Sequence, residues 1–563
     1  MLASLAILLA SCNCYNKMLK KVDRVSVSAT PAVLTLKGSN VVTDVRVDFP
    51  AKYFNKKAVL KVTPVLVFEG GELVGTPKFI QGEKVKDNYT VIPYKTGGSY
   101  TQAVSFPYDE RAKLSTLELR IESKCSKGCK KRKEFTPFAA IPVAEGVSTI
   151  QALADNAAYL SIMPDNFKRV TTISQNAEIM YLINKSNVRP GELTKDQVKM
   201  FEAFVKEYSD KDRATLGNVY AKGYASPDGP VKFNDELSKA RSESGQKAIS
   251  KTLESVNPKY DIAAYGEDWE GFKKAMEESN IRDKELILRV LAMYSDPEVR
   301  EREIKNISSA YSVVAEQILP KLRRSKFVVN AERIGKSDEE IRNLAKSNPS
   351  ALNVEELLYA ATLFDNNGDK LAIYEAAMRQ FPNDWRGFND AGMILFETGK
   401  VAQAKADFEK ANALSANNKT IKNNLGAVEL INGNVKEAEV LFGAATGAGN
   451  EVNYNKGIVA IMKGDYKAAV DYFGKCNCVN AALANILAGN NNEAAKKLNE
   501  GKDDSALASY LKAVIAARNN DNSAVLSNLK TACSKDASMK KLAATDMEFA
   551  KLFDNADFQA IVK

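Results

Sequence analysis

Glycine returns along the C-terminal part of the chain at an interval that permits few architectures. Gly392 and Gly426 stand 34 residues apart, and Ala404 and Ala438, Phe408 and Phe442, and Ala411 and Ala445 keep the same offsets from them. A third unit carries Gly457, Gly464, Ala469 and Phe473, and a shortened fourth carries Gly489, Ala494 and Leu498. Gly399, Gly433, Gly464 and Gly489 hold a constant place that reads as the turn between two helices. A helix pair cannot bury its own apolar face, so neighbours must stack, and the pattern predicts an α-solenoid over 340–563 of about five or six units. Small Ala and Gly are expected where helices approach closely, with Phe filling the gap between successive pairs. The units Leu352 to Pro382 and Ala506 to Cys533 are less regular, as capping repeats are, and Met539 to Lys563 reads as a closing helix.

These residues resemble tetratricopeptide repeats. The resemblance implies a concave groove that takes a peptide or protein partner. Asn389, Asn423, Asn424, Asn453 and Asn455 are candidates to face that groove and bond an extended backbone, or else they are solvated helix surface.

The chain contains no histidine, which removes Ser-His-Asp and Cys-His nucleophile systems, His-ligated zinc and His-ligated haem. A net charge of +9 on 563 residues is too dilute for a nucleic-acid-binding surface. No Gly-rich phosphate loop lies between a strand and a helix. The nearest approach to a metal loop, Asp365-Asn366-Asn367-Gly368-Asp369, lacks the distal glutamate of a calcium site and reads as an inter-helix turn. Acid pairs such as Asp268 with Glu270 are surface charges by default. No catalytic group, cofactor or metal is expected, and the chain reads as non-enzymatic.

Leu2 to Ala10 is apolar except for Ser4 and is followed by Ser11 and Cys12, too short to span a bilayer. A short apolar stretch ending in small residues reads as a secretory signal peptide. Leu9-Ala10-Ser11-Cys12 resembles the lipobox of bacterial lipoproteins, which implies cleavage after residue 11 and acylation of Cys12. With 12–21 as a linker and no Asp after Cys12, the expected address is the outer membrane, anchored by acyl chains and facing the periplasm.

Over 22–150 the pattern is β. Val25 to Ala29, Val45 to Phe49, Ala58-Leu60-Val62 and Leu117-Leu119-Ile121 alternate with period two, and Gly38-Ser39-Asn40 and Gly70-Gly71 mark turns. A small β-sandwich is expected. Cys125 and Cys129 flank a tip where a short-loop disulfide is plausible. Cys476, Cys478 and Cys533 read as small buried thiols without chemistry.

Over 165–335 strands alternate with helices. The pattern predicts strands at Ile179 to Ile183, Leu216 to Tyr224, Tyr260 to Tyr265 and Lys326 to Asn330. Helices are predicted at Leu193 to Tyr208, with Thr194 as N-cap, and at Asn234 to Leu253, with a helical insertion between Trp269 and Leu322. Gly223-Tyr224-Ala225-Ser226-Pro227-Asp228-Gly229, then Asn234, Leu237-Ser238 and Arg241, resemble the motif of OmpA-like domains, and Arg323-Arg324 fits that family's closing segment. The resemblance implies a peptidoglycan site in which an arginine, here Arg241, grips the diaminopimelate carboxylate and an aspartate takes its ammonium group. The aspartate's place falls on Ser226, so the motif is degenerate, with Asp228 two residues on.

Taken together, the chain resembles a Bacteroidetes-like outer-membrane lipoprotein made of a β-sandwich, a degenerate OmpA-like α/β domain and a repeat solenoid. The first functional expectation is a scaffold that binds envelope protein partners through the solenoid, within an outer-membrane or secretion assembly. The alternative is a tether joining the outer membrane to peptidoglycan.

Overall fold

The computed structural model describes residues 16–125 and 134–563, so Cys12 and Cys129 lie outside the described residues. The chain divides into two compact units. One joins the N-terminal residues, up to Met163, to Asp365–Lys563; the other is Pro164–Phe364. The solenoid boundary expected at 340 therefore falls inside the second unit.

In the first unit, strands β1 (Ser26–Lys37), β2 (Asn40–Phe49), β3 (Ala58–Phe68), β4 (Gly71–Val74), β5 (Lys78–Gly82), β6 (Thr90–Ile92), β7 (Gly98–Pro107), β8 (Ser115–Cys125), β9 (Thr136–Glu145) and β10 (Val147–Ser148) form two sheets. Their orders are β10-β1-β2-β7 and β6-β5-β3-β8-β9, with β4 on β3. Alternation puts Val41, Val45, Val47 and Phe106 of one sheet against Leu60, Leu117, Leu119 and Ile121 of the other in a shared core. Cys125 is buried at the end of β8.

The solenoid of this unit stacks on that sandwich. Its hairpins pair helix Trp385–Glu397 with Val401–Leu414, Lys419–Ile431 with Val435–Ala444, Asn450–Lys463 with Tyr466–Phe473, Val479–Leu487 with Asn491–Glu500, and Ala506–Arg518 with Asn522–Lys535. The four turn glycines all adopt left-handed backbone, with φ of 78°, 81°, 79° and 83° at Gly399, Gly433, Gly464 and Gly489. In the fifth hairpin Asn520 takes that conformation at φ 57°. A Cβ on Gly392, Gly426 or Gly457 would lie 2.7, 2.6 or 2.6 Å from the ring of Phe408, Phe442 or Phe473, so each ring lies against a glycine of its own hairpin. Phe408 also shares a core with Ile421 and Leu425 of the next hairpin. Cys476 and Cys478, expected as thiols, form a disulfide across Asn477, while Cys533 is free and buried.

In the second unit, β11 (Val170–Met180), β12 (Ala214–Leu216), β13 (Val219–Ala225), β14 (Tyr260–Glu267) and β15 (Arg324–Ile334) form a sheet ordered β11-β15-β13-β14, with β12 beside β15. β13 and β14 are parallel, and β15 is antiparallel to both β11 and β13. Helices Asp196–Ser209 and Val231–Thr252 supply Phe201, Val205 and Ile249 to a core with Ala177, Ile179, Ala221 and Phe327. The first strand begins earlier and stops sooner than predicted: eleven registered pairs with β15 hold Val170 to Met180, and Leu182 and Ile183 are exposed. Thr194 does not cap the long helix; its hydroxyl donates to Gly191 O instead. Helices between Trp269 and Leu322 build a separate core around Phe272, Met276, Ile287 and Ile318. The helix pair Asp338–Ser347 and Val354–Thr362 opens with capping boxes at Ser337/Glu340 and Asn353/Glu356.

Candidate functional site

The solenoid presents one position repeatedly, nine residues before each turn glycine: Asp390, Asn424, Asn455 and Asn480. Each lies on the first helix of its hairpin and is almost fully buried. What buries them is the chain's own segment 154–163, which has no helix or strand of its own.

Asp155 N–H donates to Asn480 Oδ1 at 2.9 Å, and Asn480 Nδ2 returns a bond to Asp155 O at 2.8 Å. Tyr159 N–H donates to Asn455 Oδ1 and Asn455 Nδ2 donates to Tyr159 O, both at 2.8 Å. Ser161 N–H donates to Asn424 Oδ1 at 2.7 Å, with Asn424 Nδ2 donating to Ser161 O at 2.9 Å. Met163 N–H reaches Asp390 Oδ1 at 3.4 Å. Residues 159, 161 and 163 meet successive hairpins because alternate residues of an extended chain face one side. A carboxamide has both a donor and an acceptor, so it can pair with a peptide unit as another backbone would.

Asn389 and Asn423 form a second row. Asn423 Nδ2 donates to Tyr159 O at 2.9 Å and to Ser161 Oγ at 3.0 Å, and Asn389 Nδ2 reaches Ser161 O at 3.4 Å. The rows are cross-linked, Asn424 Nδ2 to Asn389 Oδ1 and Asn455 Nδ2 to Asn423 Oδ1, each at 2.9 Å. Tyr159 stacks on Tyr454 with centroids 4.0 Å apart. Of the five asparagines that the sequence suggests, Asn453 is placed elsewhere. It lies two residues before Asn455, about 200° round the helix, and is exposed beside the cleft next to Tyr159. Asp390 and Asn480 are missing from those five, although their constant distance from the turn glycines is readable in the sequence.

Burial pushes the Asp390 carboxyl up to about 7, opposed by hydrogen bonds from the Asn389 amide and the Met163 backbone. The positive charge of Arg386 also draws it down, while Asp384 raises it.

The residues expected to grip peptidoglycan are arranged otherwise. Arg241 is 1% exposed, and its guanidinium donates to three backbone carbonyls, Lys185 O and Tyr224 O at 3.0 Å and Leu182 O at 3.2 Å. Burial pushes this guanidinium down to about 10. Asp228 pairs with Arg323 at 3.1 Å and accepts from Ser226 Oγ, while Arg323 Nε donates to Ser226 Oγ at 3.1 Å. Asn234 Nδ2 donates to Glu267 Oε1 at 2.9 Å. An anion could reach Arg241 only by displacing its carbonyls, so the expected grip is corrected to a structural tie between the loop after Leu182 and β13.

Asn366 caps the helix Asn367–Gln380 by accepting from Asp369 N–H at 2.7 Å, and among the described residues no group of three Cys, Asp or Glu could hold a metal. No described helix is long and apolar enough to cross a membrane.

No protein-family model matches the chain, and no curated protein matches it. Solved structures with similar folds include a tetratricopeptide repeat protein from Parabacteroides merdae, at 16% identity and a TM-score of 0.30, covering 37% of this chain and 91% of that one. PilF of Pseudomonas aeruginosa matches at 16% identity and a TM-score of 0.30, over 40% of this chain and 99% of its own. YrrB, described as a tetratricopeptide repeat protein with an unusual peptide-binding site, matches at 20% identity and a TM-score of 0.26, over 32% of this chain and 98% of its own. The helical stack is defined by its own hairpins and their turn glycines.

Proposed function

We propose that the chain is a non-enzymatic scaffold, anchored to the outer membrane by acyl chains on Cys12, whose helical repeats engage protein partners in an envelope or secretion assembly. The observation that carries this reading is the ladder of Asp390, Asn424, Asn455 and Asn480, one polar position in four successive hairpins aimed at peptide backbone. Such a device recognises chain and carries out no chemistry on it. The absence of histidine supports the same reading.

The anchor is tested by metabolic labelling with a radioactive fatty acid. The intact chain is expected to carry label and to fractionate with outer membrane, and Cys12→Ser to lose both. Label that persists in Cys12→Ser rules the anchor out. Cross-linking in intact cells, compared with a chain truncated before Trp385, tests the repeats as the partner-binding part.

A peptidoglycan tether fits the site less well, because Arg241 is enclosed and Asp228 is paired. Pelleting with purified peptidoglycan decides it, with Arg323→Ala as the informative variant because Arg323 lies at the partly exposed edge of the cluster. Co-sedimentation lost in that variant would restore the tether.

A further inference from the structure

The segment in the groove under-fills it. Beside Tyr159 lies a cleft of about 640 Å³ walled by Tyr454, Tyr472 and Phe473 and edged by Asn450 and Asn453. On the other side, next to Ala157 and Ala158, a second cleft of about 500 Å³ is walled by Met393, Phe396 and Ile431. Volumes of this size accept large side chains, yet two of the four segment residues that line the second one, Ala157 and Ala158 beside Tyr159 and Leu160, are alanines. The grip is also one-sided: Tyr159 is 51% exposed although its N–H and C=O both bond Asn455, and Ile162 is 55% exposed. The ladder bonds N–H and C=O groups, which every residue but proline offers. Side-chain demands are confined to small residues at the buried Ala158 and Ser161, an aromatic ring on Tyr454, and an apolar residue at Leu160.

We propose that 154–163 is the resident occupant of an exchangeable site. The ladder takes in its place an extended segment of another protein carrying a small residue, an aromatic, an apolar residue and a small hydroxyl residue in succession, preceded by a bulky apolar residue that enters the cleft left by Ala157. The proposal rests on the scaffold reading and specifies what the groove of that scaffold selects. A tethered occupant competes at an effective concentration in the millimolar range. A foreign segment therefore gains entry through contacts the resident lacks, and the two clefts are where those contacts are made.

The probes are a labelled synthetic peptide with the sequence of 154–163 and the same peptide carrying Ala157→Leu, read by fluorescence anisotropy on the full chain. A second protein replaces Ala154–Met163 with a Gly/Ser segment of equal length. It is expected to bind the native-sequence peptide about fifty-fold more tightly than the unaltered chain does. The Ala157→Leu peptide should bind about five-fold more tightly than the native one, and Asn424→Asp with Asn455→Asp should lose binding by at least about ten-fold. A Gly/Ser protein with unchanged helical circular dichroism that binds no more tightly than the unaltered chain overturns the proposal. Should that protein fail to fold, chymotryptic cleavage after Tyr159 and Leu160 in the unaltered chain decides between exchange and a fixed strap. Saturating Ala157→Leu peptide is expected to accelerate it several-fold, and an unchanged rate overturns exchange. A chain that keeps its cross-linked partners but binds neither peptide sinks exchange alone, whereas partners that persist after truncation before Trp385 sink the scaffold reading alone.

Discussion

Asp390 is the odd member of the ladder. Where Asn424, Asn455 and Asn480 each give and take a bond with the segment, an ionised carboxylate only accepts. Its pKa in the fold, about 7, lies above the ordinary carboxyl value, so between about pH 4 and 7 the folded chain holds a proton that the unfolded chain has released. Stability is therefore full below that window and falls as pH rises through it. Asp390→Asn should remove this component. We expect the variant to be more stable than the parent by about 2–4 kcal/mol at pH 8 and equal to it near pH 4, read from urea midpoints at the two pH values. Asp546, also pushed up by burial, to about 6, is present in both proteins and cancels in the comparison. Arg241 shows the opposite economy, a cation without a carboxylate whose hydrogen bonds all go to carbonyls. Arg241→Ala takes a donor from three carbonyls, of which Leu182 O keeps the Lys185 N–H, and should lower the stability of the second unit by about 2–4 kcal/mol. Arg241→Lys should recover little, since an ammonium cannot span the three oxygens. Full stability in the lysine variant by thermal unfolding would contradict that role for the guanidinium.

At the scale of the hairpin, the glycines explain why the repeats could be read from sequence and the strands only in part. Gly426 and Phe442 recur with the period because each ring needs a residue without Cβ opposite it, so the packing is written into identities that repeat. Gly426→Ala would drive a methyl to 2.6 Å from the Phe442 ring and should cost about 1–3 kcal/mol. Phe442→Leu, which costs some stability alone, should partly compensate in the double variant. Additive losses in the two-variant thermal-unfolding cycle would show that the ring is not the obstacle. The first strand of the central sheet carries no such signature. Val170 to Gln175 are mostly polar, and they are strand because β15 offers them an unbroken register. Pairing across more than 150 residues overrides a local pattern that points to Ile183.

On the scale of the molecule, what sequence could not reveal is which distant pieces complete one another. Main-chain recognition asks little of the segment recognised, so no pattern in 154–163 points to the groove. The sandwich likewise shows no sign of its seat on the solenoid. Gln151 donates to Gly38 O at 3.2 Å and Met462 O at 3.3 Å, and the Tyr466 hydroxyl bonds Leu36 O and Gln151 Oε1, both at 2.8 Å. Ser148 reaches Glu548, which also pairs with Arg518. The bonds Gln151–Met462, Tyr466–Leu36, Tyr466–Gln151 and Ser148–Glu548 join residues that precede the second unit in sequence to residues that follow it, so the first unit folds from two stretches separated by the whole of the other. Independent domains would melt independently; halves of one unit should not. Phe54 is fully buried in the sandwich, and Phe54→Ala should remove about 3–5 kcal/mol there. If sandwich and solenoid are one cooperative body, the helical circular dichroism of the solenoid must melt several degrees earlier in that variant, although the substitution touches no helix. A solenoid transition that stays in place while the sandwich unfolds would mean that the seat around Gln151 and Tyr466 adds contact without coupling.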